Sequence, residues 1–354
     1  MTSAVITGTG SYIPSIKKEN NQFLESSFLN ADGTSFKNNN AVIIEKFKSI
    51  TGIEERRYAK NEYTSSDLGY LAAKKAIEDS NINPENLDYI IFAHNFGDVK
   101  KGTIQSDMLP SLASRVKHLL QIENPNCVAY DLLFGCPGWV EGVIQAQAFI
   151  KAGIAKKCLV IGSETLSRVV DNYDRDSMIY SDGAGACILE EKEDSNSGIL
   201  SHATQTYTKE EAYFLFFGSS FNQNLNKDVR YLKMHGRKIY EFALKNVPEA
   251  MKTALDKSGI EIDEVKKIFI HQANEKMDDA IIKRFYKLHE KTVPQGITPM
   301  TIHELGNSSV ATVPTLLDMV LKGNIKNQEV KKGDVIILAS VGSGMNINAI
   351  VYRH

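Results

Sequence analysis

The chain has 354 residues, 42% of them hydrophobic and 24% charged, with a formal net charge of -2. That length exceeds one typical domain, so two packed halves or one large α/β unit are expected, with the composition of an ordinary soluble enzyme. The near-neutral balance excludes nucleic acid as the main partner, because phosphate binding needs a pronounced basic surface.

Met1 to Gly8 carries no basic stretch ahead of an apolar core, and no apolar run approaches the ~20 residues that cross a bilayer. Neither a secretory signal nor membrane insertion is expected. Apolar runs of strand length then alternate with stretches of helical period, which predicts α/β architecture with buried, mainly parallel strands. Strands are expected at 4–8, 87–94, 127–133 and 157–162, with helices at 65–79, 109–120 and 137–152 between them. Asn20 to Asn40 reads as an asparagine-rich surface loop, and Ser181 to Leu189 as a tight glycine turn feeding a strand. The polar stretch Glu190 to Ser197 is the expected seam, dividing 1–193 from 194–354. Beyond it, helices are expected at 234–257, 275–288 and 308–322, with Pro248 and Pro314 as points of kinking or division. Strands at 267–271, 334–340 and 345–352 complete the second half.

Four cysteines, Cys127, Cys136, Cys158 and Cys187, lie in separate hydrophobic runs without metal-ligand spacing. No zinc site or disulfide framework is expected, and a reducing cytoplasm fits. Cys136 stands apart because it closes an apolar strand and opens a helix, with Pro137 suited to the first helical position. A thiol there meets the positive end of the helix dipole and unpaired N–H groups, so its pKa is expected to fall below the usual ~8.5. The alternative is a structural core cysteine. His271 ends a predicted strand, the usual place of an α/β active site, yet also suits a core histidine. Asn307, just ahead of an apolar helix, suits an N-cap as well as a site residue.

Together these segments resemble the thiolase-like condensing enzymes, most closely the β-ketoacyl-ACP synthase III branch. The resemblance runs from Ala4 to His354 and rests on eight segments in family order. They include Thr51-Gly52-Ile53, Gly135-Cys136-Pro137, Ser181-Asp182-Gly183-Ala184-Gly185, His271-Gln272-Ala273-Asn274, Gly306-Asn307-Ser308-Ser309 and Gly342-Ser343-Gly344. It implies a five-layer αβαβα fold of two topologically similar halves, the first carrying the nucleophile Cys136 and the second His271 and Asn307. It also implies an oxyanion hole from the backbone N–H groups of Cys136 and Ser343. Thiolate attack on an acyl thioester would form an acyl-Cys, and decarboxylation of a malonyl thioester would leave an enolate held by the two neutral side-chain donors.

The resemblance further implies a homodimer, with acyl carrier protein or coenzyme A thioesters as partners. The 4′-phosphopantetheine arm arrives on the substrate, and no other cofactor or metal is expected. It places Asn274, Lys276, Arg168, Thr51 and Leu109 at the substrate or carrier, with Arg168 at the tunnel mouth and Leu109 near the dimer interface. The absence of any cysteine after Cys187 argues against a thiolase, and Asn307 stands where elongating ketosynthases carry a second histidine. Departures from the pattern are Phe134, Pro137 and Trp139 around the cysteine, read either as reshaping the acyl pocket or as variant core packing. Ile50 and Lys276 stand where the family carries arginines, which predicts weak binding of free acyl-CoA. Other readings are an O- or N-acyltransferase on the same fold, which needs no enolate site, and a non-catalytic scaffold subunit.

Overall fold

A computed structural model of the chain describes residues 2–193 and 196–354. The first half contains β1 (Thr2–Tyr12), β2 (Ile16–Glu19), α1 (Asn40–Thr51), β3 (Glu55–Tyr58), α2 (Ser65–Ser80) and β4 (Tyr89–Ala93). It continues through α3 (Leu112–Leu119), β5 (Val128–Leu132), α4 (Gly138–Lys151), β6 (Lys157–Thr165) and β7 (Asp182–Glu193). The second half contains β8 (Gly198–Thr206), β9 (Leu215–Gly218), β10 (Tyr231–Met234), α5 (Gly236–Ser258), β11 (Val265–Ile270) and α6 (Glu275–Leu288). It ends with α7 (Ile302–Leu305), α8 (Thr312–Leu321), β12 (Val335–Gly342) and β13 (Asn346–Arg353). The expected division at 193/194 falls at residues 194–195, outside the described residues.

One sheet has the order β1-β7-β6-β4-β5 and the other β11-β12-β13-β8. Their pairings repeat: β4–β6 and β11–β12 are parallel, and the next two pairings in each sheet are antiparallel. The sheets are therefore mixed rather than mainly parallel. Helices cover both faces of each sheet, so antiparallel strands such as β7 and β13 read as continuous apolar runs, as parallel ones do.

Alternate strand residues face opposite layers. Ile90 and Phe92 pack outward on Leu68 and Ala72 of α2, while Ile91 faces inward. Ile268 and Ile270 pack outward on α5 and α6, while Phe269 faces inward. Between the sheets, α4 and α8 bury Trp139, Val143, Val313 and Leu316 against both. The five layers α2/α3, sheet, α4/α8, sheet, α5/α6 match the αβαβα expectation. Burial of the two central helices on all sides anchors their N-terminal ends deep in the molecule, where Cys136 and Asn307 lie.

Several local expectations change. The stretch 181–185 is no turn: residues from Asp182 onward belong to β7, and a Cβ at Gly185 would lie 2.7 Å from the Thr315 nitrogen. Glycine there lets the sheet approach α8. Helix α5 runs through Pro248 undivided, and the Leu244 carbonyl, deprived of its N–H partner, accepts from Arg284 Nη1 at 3.2 Å. A 3-10 turn at Ser309–Ala311 precedes α8, placing Pro314 in the first helical turn, where a missing N–H is tolerated. The asparagine-rich segment ends in α1, capped by Asn39 Oδ1 accepting from the Val42 nitrogen at 3.1 Å. Its signal was present: an N-cap asparagine followed by Ile43, Ile44 and Phe47 at helical spacing.

Candidate active site

Cys136 ends the loop after β5, and Pro137 is the N-cap of α4 rather than its first helical residue. The loop rests backbone to backbone on the end of β12. A Cβ on Gly342 would lie 2.4 Å from the Cys136 nitrogen, so only glycine permits this approach. Asn346 stitches the two loops: its Nδ2 donates to the Ser343 carbonyl at 2.9 Å and to the Phe134 carbonyl at 3.3 Å. Thr206 Oγ1 donates to its Oδ1 at 2.7 Å, which fixes the orientation of the amide.

His271 follows β11, its backbone nitrogen donating to the Ala339 carbonyl at 2.9 Å. Its ring is buried, and Nδ1 has no hydrogen-bond partner among the described residues. Asn307 is no cap of α8, which starts five residues later. Its backbone bridges to residues 179–181, and its Oδ1 accepts from the Ser309 nitrogen at 2.8 Å. With the carbonyl end so held, Nδ2 is the end left free to donate.

Burial pushes the Cys136 thiol up to about 11, against the expectation that the helix start lowers it. Loss of water around the sulfur outweighs the hydrogen bonds that favour the thiolate, from the Ser309 hydroxyl at 3.3 Å and from the backbone N–H groups of Cys136 and Ser343. Burial also lowers the His271 imidazole to about 4, partly opposed by a backbone contact with Ser309. At neutral pH the resting pair is thiol and neutral imidazole. The backbone N–H groups of Cys136 and Ser343 lie close enough to the sulfur to favour its thiolate form.

Cys136, His271, Asn307 and Ser343 line one cavity of about 670 Å³. Its far walls are apolar, with Phe47 and Ile50 of α1, Leu215 and Phe217 of β9 and Met234 of β10. The exposed side chains of Lys46, Arg175 and Arg237 border its open end. Thr51 and Asn274 also line it, but each has a structural task. The Thr51 hydroxyl donates to the Phe47 carbonyl at 2.9 Å, and Asn274 Oδ1 caps α6 by accepting from Met277 at 3.1 Å.

Three expected substrate residues lie elsewhere. Arg168 is buried away from the cavity, its Nη2 donating to the Lys60 carbonyl at 3.0 Å and Nη1 to the Val99 carbonyl at 2.5 Å, so its donors hold loops together. The arginine of this segment that reaches the cavity is Arg175, seven residues on, which motif spacing alone did not single out. Lys276 is exposed and outside the lining. Leu109, expected to serve a pocket across the dimer interface, is 90% exposed and does not line the cavity of its own chain. Trp139 packs on the sheet, with Nε1 donating to the Val160 carbonyl at 3.3 Å, and neither it nor Phe134 or Pro137 lines the cavity. Trp139 belongs to the core between the sheets, and none of the three reshapes the lining of this cavity.

A family model described as 3-oxoacyl-[acyl-carrier-protein] synthase III matches residues 130–208, and the model of that family's C-terminal part matches 255–354. A relative named β-ketoacyl-[acyl-carrier-protein] synthase III, from Caldanaerobacter subterraneus, is 31% identical over 97% of this chain and 95% of its own length. The chain belongs to the β-ketoacyl-[acyl-carrier-protein] synthase III family. Another family member, from Aquifex aeolicus, is 33% identical over 86% of this chain and 88% of its own. The crystal structure of the 3-oxoacyl-[acyl-carrier-protein] synthase III from Aquifex aeolicus superposes with a TM-score of 0.81 at 29% identity, covering 99% of this chain and 100% of that one. The family's fold extends to the priming β-ketosynthase of the R1128 polyketide pathway, with a TM-score of 0.80 at 22% identity.

Proposed function

We propose that the chain is a condensing enzyme of fatty-acid or related lipid or polyketide synthesis. It joins an acyl thioester to malonyl-ACP by a ping-pong, decarboxylative Claisen condensation. The observation that carries this reading is the convergence of Cys136, His271, Asn307 and Ser343 on the buried end of one cavity. In the first half-reaction the Cys136 sulfur attacks the acyl carbonyl, the carbon–sulfur bond to the carrier breaks, and the proton given up by the Cys136 thiol ends on the departing carrier thiol. The backbone N–H groups of Cys136 and Ser343 hold the oxyanion. In the second, the malonyl group loses CO₂, and neutral His271 and the Asn307 amide donate to the enolate oxygen. The enolate carbon attacks the acyl-Cys carbonyl and releases the sulfur. No resident cofactor enters, because the pantetheine arm comes with the substrate.

The test is intact mass of the protein after incubation with acyl thioesters, followed by malonyl-ACP and measurement of released CO₂. Acylation of the protein with malonyl-dependent CO₂ release and transfer of the acyl group supports the reading. Acylation discharged to an alcohol or amine without CO₂ points to an acyltransferase, and no acylation at all points to a scaffold subunit.

Two further expectations follow from the surface. Ile50 lines the cavity where a phosphate-binding arginine is missing, while Lys46, Arg175 and Arg237, the last two beside Asp176 and Glu241, spread positive charge around the opening. Distributed charge suits an acidic carrier protein. Acylation from acyl carrier protein is therefore expected to be faster than from the matching acyl-CoA, with an advantage that shrinks as salt rises. Equal or faster use of acyl-CoA, insensitive to salt, would contradict it. The protein is also expected to dimerise in a reducing cytoplasm. The edge strand β5 exposes Val128 and the adjoining Leu133, and Leu109 is nearly bare of contacts. Sedimentation of an active monomer at micromolar concentration would rule out the dimer.

A further inference from the structure

Behind the nucleophile lies a polar chain that the condensation scheme does not use. The Glu164 side chain is buried, and its Oε1 accepts from both the backbone nitrogen and Nδ2 of Asn95, at 2.7 and 2.6 Å. Its Oε2 is buried with no partner among the described residues. Asn95 Nδ2 also donates to Ser309 Oγ at 3.1 Å, and Ser309 Oγ donates to Cys136 Sγ at 3.3 Å.

Each link has a forced direction. A carboxyl oxygen that accepts from Asn95 turns the amide so that its nitrogen, not its oxygen, faces Ser309. An amide N–H aimed at the serine oxygen occupies it as an acceptor, which leaves the hydroxyl proton for the sulfur. Ser309 is also bound to the rest of the site, because its backbone nitrogen donates to Asn307 Oδ1 at 2.8 Å. It holds this place in a left-handed conformation, φ 53°, unusual for serine and of the kind retained at functional sites.

We propose that Ser309 is a catalytic residue that stabilises the Cys136 thiolate through its hydroxyl, with Asn95 and Glu164 as positioning residues that fix the direction of that bond. The inference rests on Cys136 being the nucleophile. Glu164, whose charge disfavours the thiolate, Tyr180 and His271 are the titratable groups that share the surroundings of the sulfur, and Tyr180 and His271 stay unaltered in every variant of the test.

The test is the rate of Cys136 alkylation by iodoacetamide from pH 7 to 10, followed by intact and peptide mass with no substrate present, so it is separate from the condensation reading. Ser309→Ala and Ser309→Gly are both expected to slow alkylation about ten-fold at each pH, as one unit of added thiol pKa would. Glycine suits the positive φ, so the second variant removes the hydroxyl without straining the fold. Asn95→Leu is expected to slow it in the same direction by a smaller factor. Glu164→Leu and Glu164→Gln both remove a charge that disfavours the thiolate, so the pair isolates the acceptor oxygen, and Glu164→Leu is expected to be alkylated several-fold more slowly than Glu164→Gln. An unchanged pH–rate profile in folded Ser309→Ala and Ser309→Gly would overturn the proposal. Equal alkylation rates in Glu164→Leu and Glu164→Gln would overturn the directional role of Glu164.

Discussion

Cys136→Ser is expected to abolish acylation of the protein and to lower condensation by more than about 10³-fold while leaving the fold intact. Oxygen replaces sulfur without a change in packing volume that the loop would notice, but a serine hydroxyl is a far weaker nucleophile at neutral pH. The remaining cysteines offer no substitute. Cys127, Cys158 and Cys187 are buried and none of them lines the cavity, so an acyl thioester bound there does not meet them. Peptide mass mapping that finds the acyl group on any of them would sink the assignment. Because the resting Cys136 thiol titrates near 11, its alkylation rate is expected to climb about ten-fold per pH unit between 7 and 10. A plateau reached by pH 8 would show a thiolate already formed in the resting enzyme.

His271→Ala and Asn307→Ala are each expected to depress malonyl decarboxylation by roughly 10²–10³-fold, with a much smaller effect on self-acylation. Both side chains are assigned to the enolate, whose charge exists only in the second half-reaction. Loss of self-acylation with decarboxylation intact would reverse the roles. The pH dependence adds a second check. His271 titrates near 4 in the folded chain and near 6.5 when unfolded, so the unfolded state binds the proton first as pH falls. Its effect on stability is absent above pH 6.5 and grows as a destabilisation from there toward pH 4. Decarboxylation in turn is expected to show no step at pH 6.5 from this residue. Such a step, lost in His271→Ala, would mean that the imidazole is solvated rather than buried.

The three central site residues were legible because each sits at a local landmark. Cys136 follows an apolar strand and precedes a helix, His271 ends a strand, and Asn307 precedes an apolar helix with glycine before it. The resemblance then joined these landmarks into one site. The resemblance carried Arg168 to the tunnel mouth, whereas its guanidinium holds two backbone carbonyls, a role that side-chain identity does not distinguish from a solvent-facing one. The local view also passed over α1 and the β9–β10 pair, whose apolar side chains wall the cavity. Those strands are only four residues each, too short for their alternation to stand out.

What the sequence by itself determined was the rhythm of strands and helices, the family and its type of chemistry, and the candidate residues for it. These depend on periodicity, on capping residues and on side-chain identity, all readable within a few positions. Only the tertiary structure decided the protonation of the site and the company each residue keeps. Cys136 is pushed up and His271 down because packing removes water from both, and desolvation depends on segments brought from across the chain. The chain from Glu164 through Asn95 and Ser309 to the sulfur joins residues up to 214 positions apart. No local pattern encodes such a distance: it arises because α4 and α8 are buried side by side between two sheets.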